Sequence, residues 1–102
     1  MLETSGTEPL FSAASLWEAT IKAGLGRADF VLDPKEFRRG LLEAGYAELP
    51  IDGRHAVAVM ALPPLHNDPF DRMLIAQARV ERIPLVTSDS HLGRYGPPVR
   101  MV

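Results

Sequence analysis

Asp68-Pro69-Phe70-Asp71-Arg72-Met73-Leu74-Ile75-Ala76-Gln77-Ala78, followed by Ile83-Pro84-Leu85-Val86-Thr87-Ser88-Asp89, is the stretch that decides the fold. Asp68 before Pro69 reads as a helix cap and first turn. Asp71, Leu74, Ile75 and Ala78 recur at i, i+3, i+4 and i+7, so they share one face of that helix. Leu74, Ile75 and Ala78 should face the core, which aims Asp71 along a buried stripe. An ionised carboxylate is costly there unless something compensates it. Pro84 to Thr87 then reads as a short strand. Its Leu85-Val86 pair lacks polar alternation, as in a strand covered on both faces. Asp89 lies just past its end.

Working outward, Leu10 to Ala13 is a strand candidate. Ser15 is a candidate cap for a helix from about Leu16 to Ala23, with Glu18 as the third residue of a capping box. Trp17 beside it is expected in the core, with base stacking as the alternative. Asp33-Pro34 opens a helix that Gly45 ends, and Arg38 and Arg39 on it read as a solvated face. Tyr46 to Ile51 is a strand. Asp52 starts a helix whose Ala56, Val57, Val59, Met60 and Leu62 are apolar nearly all round, which predicts deep burial. His91 to Tyr95 is a turn or short helix, and Val99 to Val102 a last strand. Residues 1–8 are polar and expected to be loose.

Strands alternating with helices predict an α/β fold with a mostly parallel sheet. In such sheets ligands sit beyond the carboxyl ends of the strands. Glu18, Asp71 and Asp89 should all lie at that rim. Each has a plainer reading: Glu18 as capping box, Asp71 as a first-turn carboxylate favoured by the helix dipole, Asp89 as the cap of the next turn. Taken together they suggest an oxygen-only site suited to Mg²⁺ or Mn²⁺, ions that activate water and stabilise charge on a phosphoryl group. Arg72 beside the site is the basic residue placed to touch a phosphate, with a surface ion pair as the alternative.

Composition bounds the rest. The 102 residues suffice for one domain over 1–102, and 46% hydrophobic with 24% charged side chains is ordinary for a globular chain. The net charge of −2 does not advertise nucleic acid, though it leaves room for a local basic patch. With no cysteine, thiolate metal sites are excluded. No apolar run is long enough to span a membrane, and Met1 to Gly6 lacks the basic and apolar regions of a signal peptide, so a cytoplasmic location is expected. His55, His66 and His91 show no metal-ligand spacing, and His66 reads as a loop residue, with contact to substrate as the alternative. A phosphate-cradling glycine loop and a nucleophile elbow are both missing. An unrelated phosphatase-like or receiver-like domain is a further reading, without a nucleophile context to support it.

Phe11-Ser12-Ala13-Ala14-Ser15-Leu16-Trp17-Glu18, Leu62-Pro63-Pro64-Leu65-His66-Asn67 running into the Asp68 to Ala78 stretch, and Leu85-Val86-Thr87-Ser88-Asp89 resemble PIN-domain proteins, with the VapC-type ribonuclease toxins as the nearest branch. The resemblance covers essentially the whole chain, and its middle motif is the specific one. It implies a three-layer α/β/α fold and a metal-dependent endoribonuclease using Mg²⁺ or Mn²⁺. It also implies an RNA substrate, a cognate antitoxin of a type II toxin–antitoxin module, a homodimer and no membrane. Glu18, Asp71 and Asp89 match three of the family's four acidic positions and would be both metal-binding and catalytic. Asp68, Thr87 and Ser88 match supporting positions, and Arg72 would meet substrate.

The chain departs from the family at its start. PIN domains open with a hydrophobic strand ending in Asp, then a helix, and this chain shows neither; Glu3 and Glu8 do not replace that Asp. The fold is therefore expected to be incomplete at the N-terminus, the activity impaired, and the gap closed by rearrangement, a swapped dimer or a partner strand. A truncated product, a misassigned start codon or a degraded gene would explain the departure. A non-catalytic remnant that binds an antitoxin or itself is the alternative.

Overall fold

The computed structural model describes residues 2–4, 8–25 and 33–102. In chain order the elements are β1 (Leu2–Thr4), β2 (Glu8–Ser12), α1 (Ala13–Gly24), α2 (Pro34–Glu43), β3 (Ala47–Leu49), α3 (Gly53–Ala58) with a 3₁₀ turn at Val59–Ala61, α4 (Pro69–Glu81), β4 (Leu85–Thr87), α5 (Ser90–Gly93) and β5 (Val99–Met101). The Asp-Pro pairs start helices as the sequence predicts. The Asp33 side chain accepts from Lys35 N at 2.9 Å, and Asp68 accepts from Phe70 N at 2.8 Å and Asp71 N at 3.1 Å. Gly45, just past α2, takes φ +96°, a left-handed conformation that glycine adopts without the Cβ penalty of other residues.

The five strands form one sheet in the order β3-β2-β1-β4-β5. β2 pairs parallel to β3, and β4 parallel to β5. β1 lies between β2 and β4 and runs antiparallel to both. The other four strands therefore share one direction, and their carboxyl ends form one edge of the sheet. This is the expected α/β architecture with a mostly parallel sheet.

The centre of the sheet corrects, at residues 2–4 and 8, the expectation that residues 1–8 are loose; residues 1 and 5–7 lie outside the described residues. Leu2–Thr4 is a strand, in register Leu2↔Leu10 and Thr4↔Glu8 with β2 and Leu2↔Leu85 with β4, and Glu8 begins β2. The reason is connectivity. Thr4 and Glu8 are too close in sequence for a parallel crossover, which needs a dozen residues or more, whereas an antiparallel pair closes through a short turn.

Ile75, Ala76 and Ala78 of α4 are fully buried, packed with Leu10, Leu62 and Leu85. Two local readings are corrected. Helix α1 begins at Ala13, capped by Ser12 rather than Ser15, so Glu18 falls in its second turn and closes no capping box. Its buried positions are Ala14 and Ala19, while Trp17 is 59% exposed rather than in the core. The helix after Asp52 is likewise less buried than its apolar run predicts: Val57 is 76% and Met60 91% exposed. It is a single short helix followed by a 3₁₀ turn, and so offers the core one narrow face.

Candidate metal centre

Beyond the carboxyl edge of the parallel strands lie the start of α4 and the loop before it. Asp71 sits in the first turn of α4, where the helix dipole favours negative charge. Its side chain is 25% exposed and is not sealed in the core. His66, in the loop, supplies the compensation that the sequence demanded: its Nε2 lies 2.9 Å from Asp71 Oδ2. Because the carboxylate accepts, the ring nitrogen donates. The His66 ring also stacks on His91, with centroids 5.9 Å apart and planes 11° from parallel.

His66, Asp68 and Asp71 each offer a ligand atom within 4.8 Å of the others. Asp68 spends Oδ1 on capping α4, and Asp71 spends Oδ2 on His66. Among the described residues, Asp68 Oδ2 and Asp71 Oδ1 have no hydrogen-bond partner. Open carboxylate oxygens suit a hard divalent cation, so this donor set fits one. Sequence reading placed Asp68 and Asp71 here but missed His66. Its only signal was a position five residues ahead of Asp71, in a loop where no helical or strand period applies.

The other expected ligands are engaged elsewhere. Glu18 Oε2 pairs with Lys22 Nζ at 3.5 Å. Asp89 caps α5, accepting from His91 N at 2.9 Å, and its own N–H donates to Thr87 Oγ1 at 3.0 Å. Neither belongs to the close group around Asp71, although Asp89, two residues past β4, lies at the same edge. Ser88 is exposed beside it.

Arg72 reaches three backbone carbonyls and one hydroxyl. Nη1 donates to Pro63 O at 3.2 Å, His66 O at 3.3 Å and Tyr95 Oη at 3.3 Å, and Nη2 to Val59 O at 3.2 Å. The guanidinium fastens the 59–66 loop onto α4. Arg72→Ala is therefore expected to destabilise the fold by ~2 kcal/mol, as loss of several charged-donor bonds should. Arg72→Lys should recover less than half, because an ammonium cannot span this fan of acceptors. Thermal melts of the three proteins check this, and an unchanged Arg72→Ala midpoint would contradict it.

A second group, Asp52, His55 and Glu81, joins the start of α3 to the end of α4. Buried His55 accepts from Asp52 N at Nδ1 (3.0 Å), so the proton sits on Nε2 and is donated to Glu81 Oε1 at 2.8 Å. Arg54 Nη2 bonds both carboxylates at 2.8 Å. With both ring nitrogens used and a guanidinium between the acids, this group is a clamp between helices. Arg54 holds the Asp52 carboxyl down at about 2, and the His55 bond, aided by Arg54, lowers that of Glu81. A depressed carboxyl contributes stability that is present above its unfolded value and lost as pH falls through the folded one. Stability should thus fall as pH drops from about 4 toward 2. Asp52→Asn, which keeps the cap, should flatten that part of a midpoint-against-pH curve; an unaltered slope would refute the assignment.

Four strands of the sheet share one direction, and past their carboxyl ends lies a group of side chains that could hold a metal ion. The PIN domain family model matches residues 2–96, and the chain belongs to that family. No curated protein and no solved structure gives a significant match. PIN domains are generally metal-dependent nucleases acting on RNA and other nucleic acids. Among the described residues, no helix is long and apolar enough to cross a membrane.

Proposed function

We propose that this chain is a metal-dependent endoribonuclease of the VapC toxin kind, acting in the cytoplasm as part of a type II toxin–antitoxin pair, with a cognate antitoxin as its inhibitor and a homodimer as its working form. The observation that carries this reading is Asp71 at the start of α4, beside Asp68 and past the carboxyl edge of the parallel strands, in a chain of the PIN family. Asp71, Asp89 and Glu18 would hold Mg²⁺ or Mn²⁺, with Asp68, Thr87 and Ser88 in support. Such an ion, when bound, supplies an activated water and neutralises charge developing on the phosphodiester. The chain's own part is to fix the carboxylates. Asp68 caps the helix that carries Asp71, Thr87 Oγ1 anchors the Asp89 backbone, and Arg72 holds the loop alongside.

Turnover is expected to be weak, because Glu18, Asp71 and Asp89 match three of the family's four acidic positions and the first is without a match in this sequence. The test is cleavage of RNA by protein in excess, with Mn²⁺ or Mg²⁺, with chelator, and with Asp71→Ala and Asp89→Ala. Slow cleavage lost with chelator and in both variants is the expected result. Equal cleavage by all three proteins would sink the reading.

The orientation of β1 also favours a second reading, a non-catalytic PIN remnant that engages an antitoxin or a second copy of itself. That form would take up no Mn²⁺ in a titration, whereas the nuclease would bind it through Asp71 and Asp89.

A further inference from the structure

His66 lies outside the acidic set, yet it is held more firmly than a loop residue needs to be. Its carbonyl accepts from Arg72 Nη1, and the neighbouring Leu65 carbonyl accepts from Arg94 Nη1 at 3.4 Å. Its ring is stacked on His91 and bonded to Asp71. Backbone and ring are thus each tied at separate points. From these contacts we infer that His66 is a positioning residue: its ring N–H fixes the Asp71 carboxylate through Oδ2 and leaves Oδ1 as the oxygen open to a cation. The inference rests on the reading of Asp71 as a metal ligand.

The chemistry is that of an outer partner to a ligating carboxylate. A carboxylate free to rotate must give up that freedom when it binds a cation; one already held does not. The bond requires a donor N–H at this place and nothing else particular to imidazole. A glutamine amide can supply that donor, whereas alanine cannot. His91 contributes only the surface on which the ring rests.

The experiment is a Mn²⁺ titration, by calorimetry and by the electron paramagnetic resonance signal of free Mn²⁺, on wild type, His66→Ala, His66→Gln and Asp71→Asn. Thermal midpoints should be recorded for each to confirm folding. Loss of a partner of this kind costs metal affinity on the order of tenfold or more, so His66→Ala should bind about tenfold more weakly while His66→Gln stays within about threefold of wild type. Unchanged affinity in His66→Ala overturns the inference. So does an equal loss in both variants, which would make the ring itself a ligand or a packing element. If wild type takes up no Mn²⁺, or Asp71→Asn binds as well as wild type, the nuclease reading fails and the inference falls with it. The two failures are told apart by the Asp71→Asn arm.

Discussion

Replacing Asp71 with asparagine is expected to weaken Mn²⁺ binding by about a hundredfold or more with the fold intact. Outer partners of a metal site are worth roughly ten- to a hundredfold in affinity, and a direct ligand should be worth at least the upper end of that range. The substitution isolates the charge. Asparagine keeps the size of the side chain and an oxygen that can accept from His66 Nε2, so the loop contact survives. What goes is the anionic oxygen that a hard cation requires. Titration calorimetry on the two proteins, with matched far-ultraviolet circular dichroism, gives the answer. Equal affinities would remove Asp71 from the site. Binding is the better measure here because it does not depend on a turnover that is expected to be slow.

The largest expected loss of stability is at Gln77. This residue is fully buried in the middle of α4. Its Oε1 accepts from Ser12 Oγ, and its Nε2 donates to Pro50 O at 3.3 Å. One amide therefore ties together the end of β2, the segment after β3 and the helix that carries Asp71. Gln77→Ala deletes buried atoms and orphans the hydroxyl of Ser12, which is itself only 1% exposed. An unsatisfied buried donor costs about 1–3 kcal/mol, and the cavity adds to it, for a total of roughly 3 kcal/mol. For a domain of this size that is a fall of about 15 °C in thermal midpoint. Ser12→Ala removes the other half of the bond and also the cap on Ala14 N. The double variant should cost less than the two singles added, because each single strands the other's partner. Strict additivity would show that the two side chains do not depend on each other.

The legible parts of this chain were those governed by local chemistry. Asp33-Pro34, Asp68-Pro69 and Gly45 mark helix ends through backbone rules that need no tertiary knowledge, and the structure keeps all three. The period of Leu74, Ile75 and Ala78 identified the buried face of α4 for the same reason. Local rules fail where a distant partner decides. Ser12 and Ser15 are equally good caps on paper; the bond between Ser12 and Gln77, 65 residues away, is one the local sequence cannot show. β1 has no apolar alternation to announce it, and its place is set by the slot between β2 and β4. Trp17, Val57 and Met60 looked internal because apolar character says nothing about whether enough core exists to receive it. In the group around Asp71, residue type and helix position point to Asp68 and Asp71. They do not point to His66, because a loop brings it there.

The direction of β1 has a practical result. That strand begins with Leu2 opposite Leu10 and Leu85 and runs away from the carboxyl edge of its neighbours, while β5 ends at that edge, with Val102 N bonded to Thr87 O at 3.0 Å. Peptide fused ahead of Leu2 and peptide fused after Val102 both leave the sheet on the side where Asp71 and Asp89 lie. On the proposed nuclease reading, a polyhistidine purification handle at either end would bring imidazoles to the side of the sheet where these carboxylates lie and compete with them for Mn²⁺. Titrations on this protein belong to material from which the handle has been cut away.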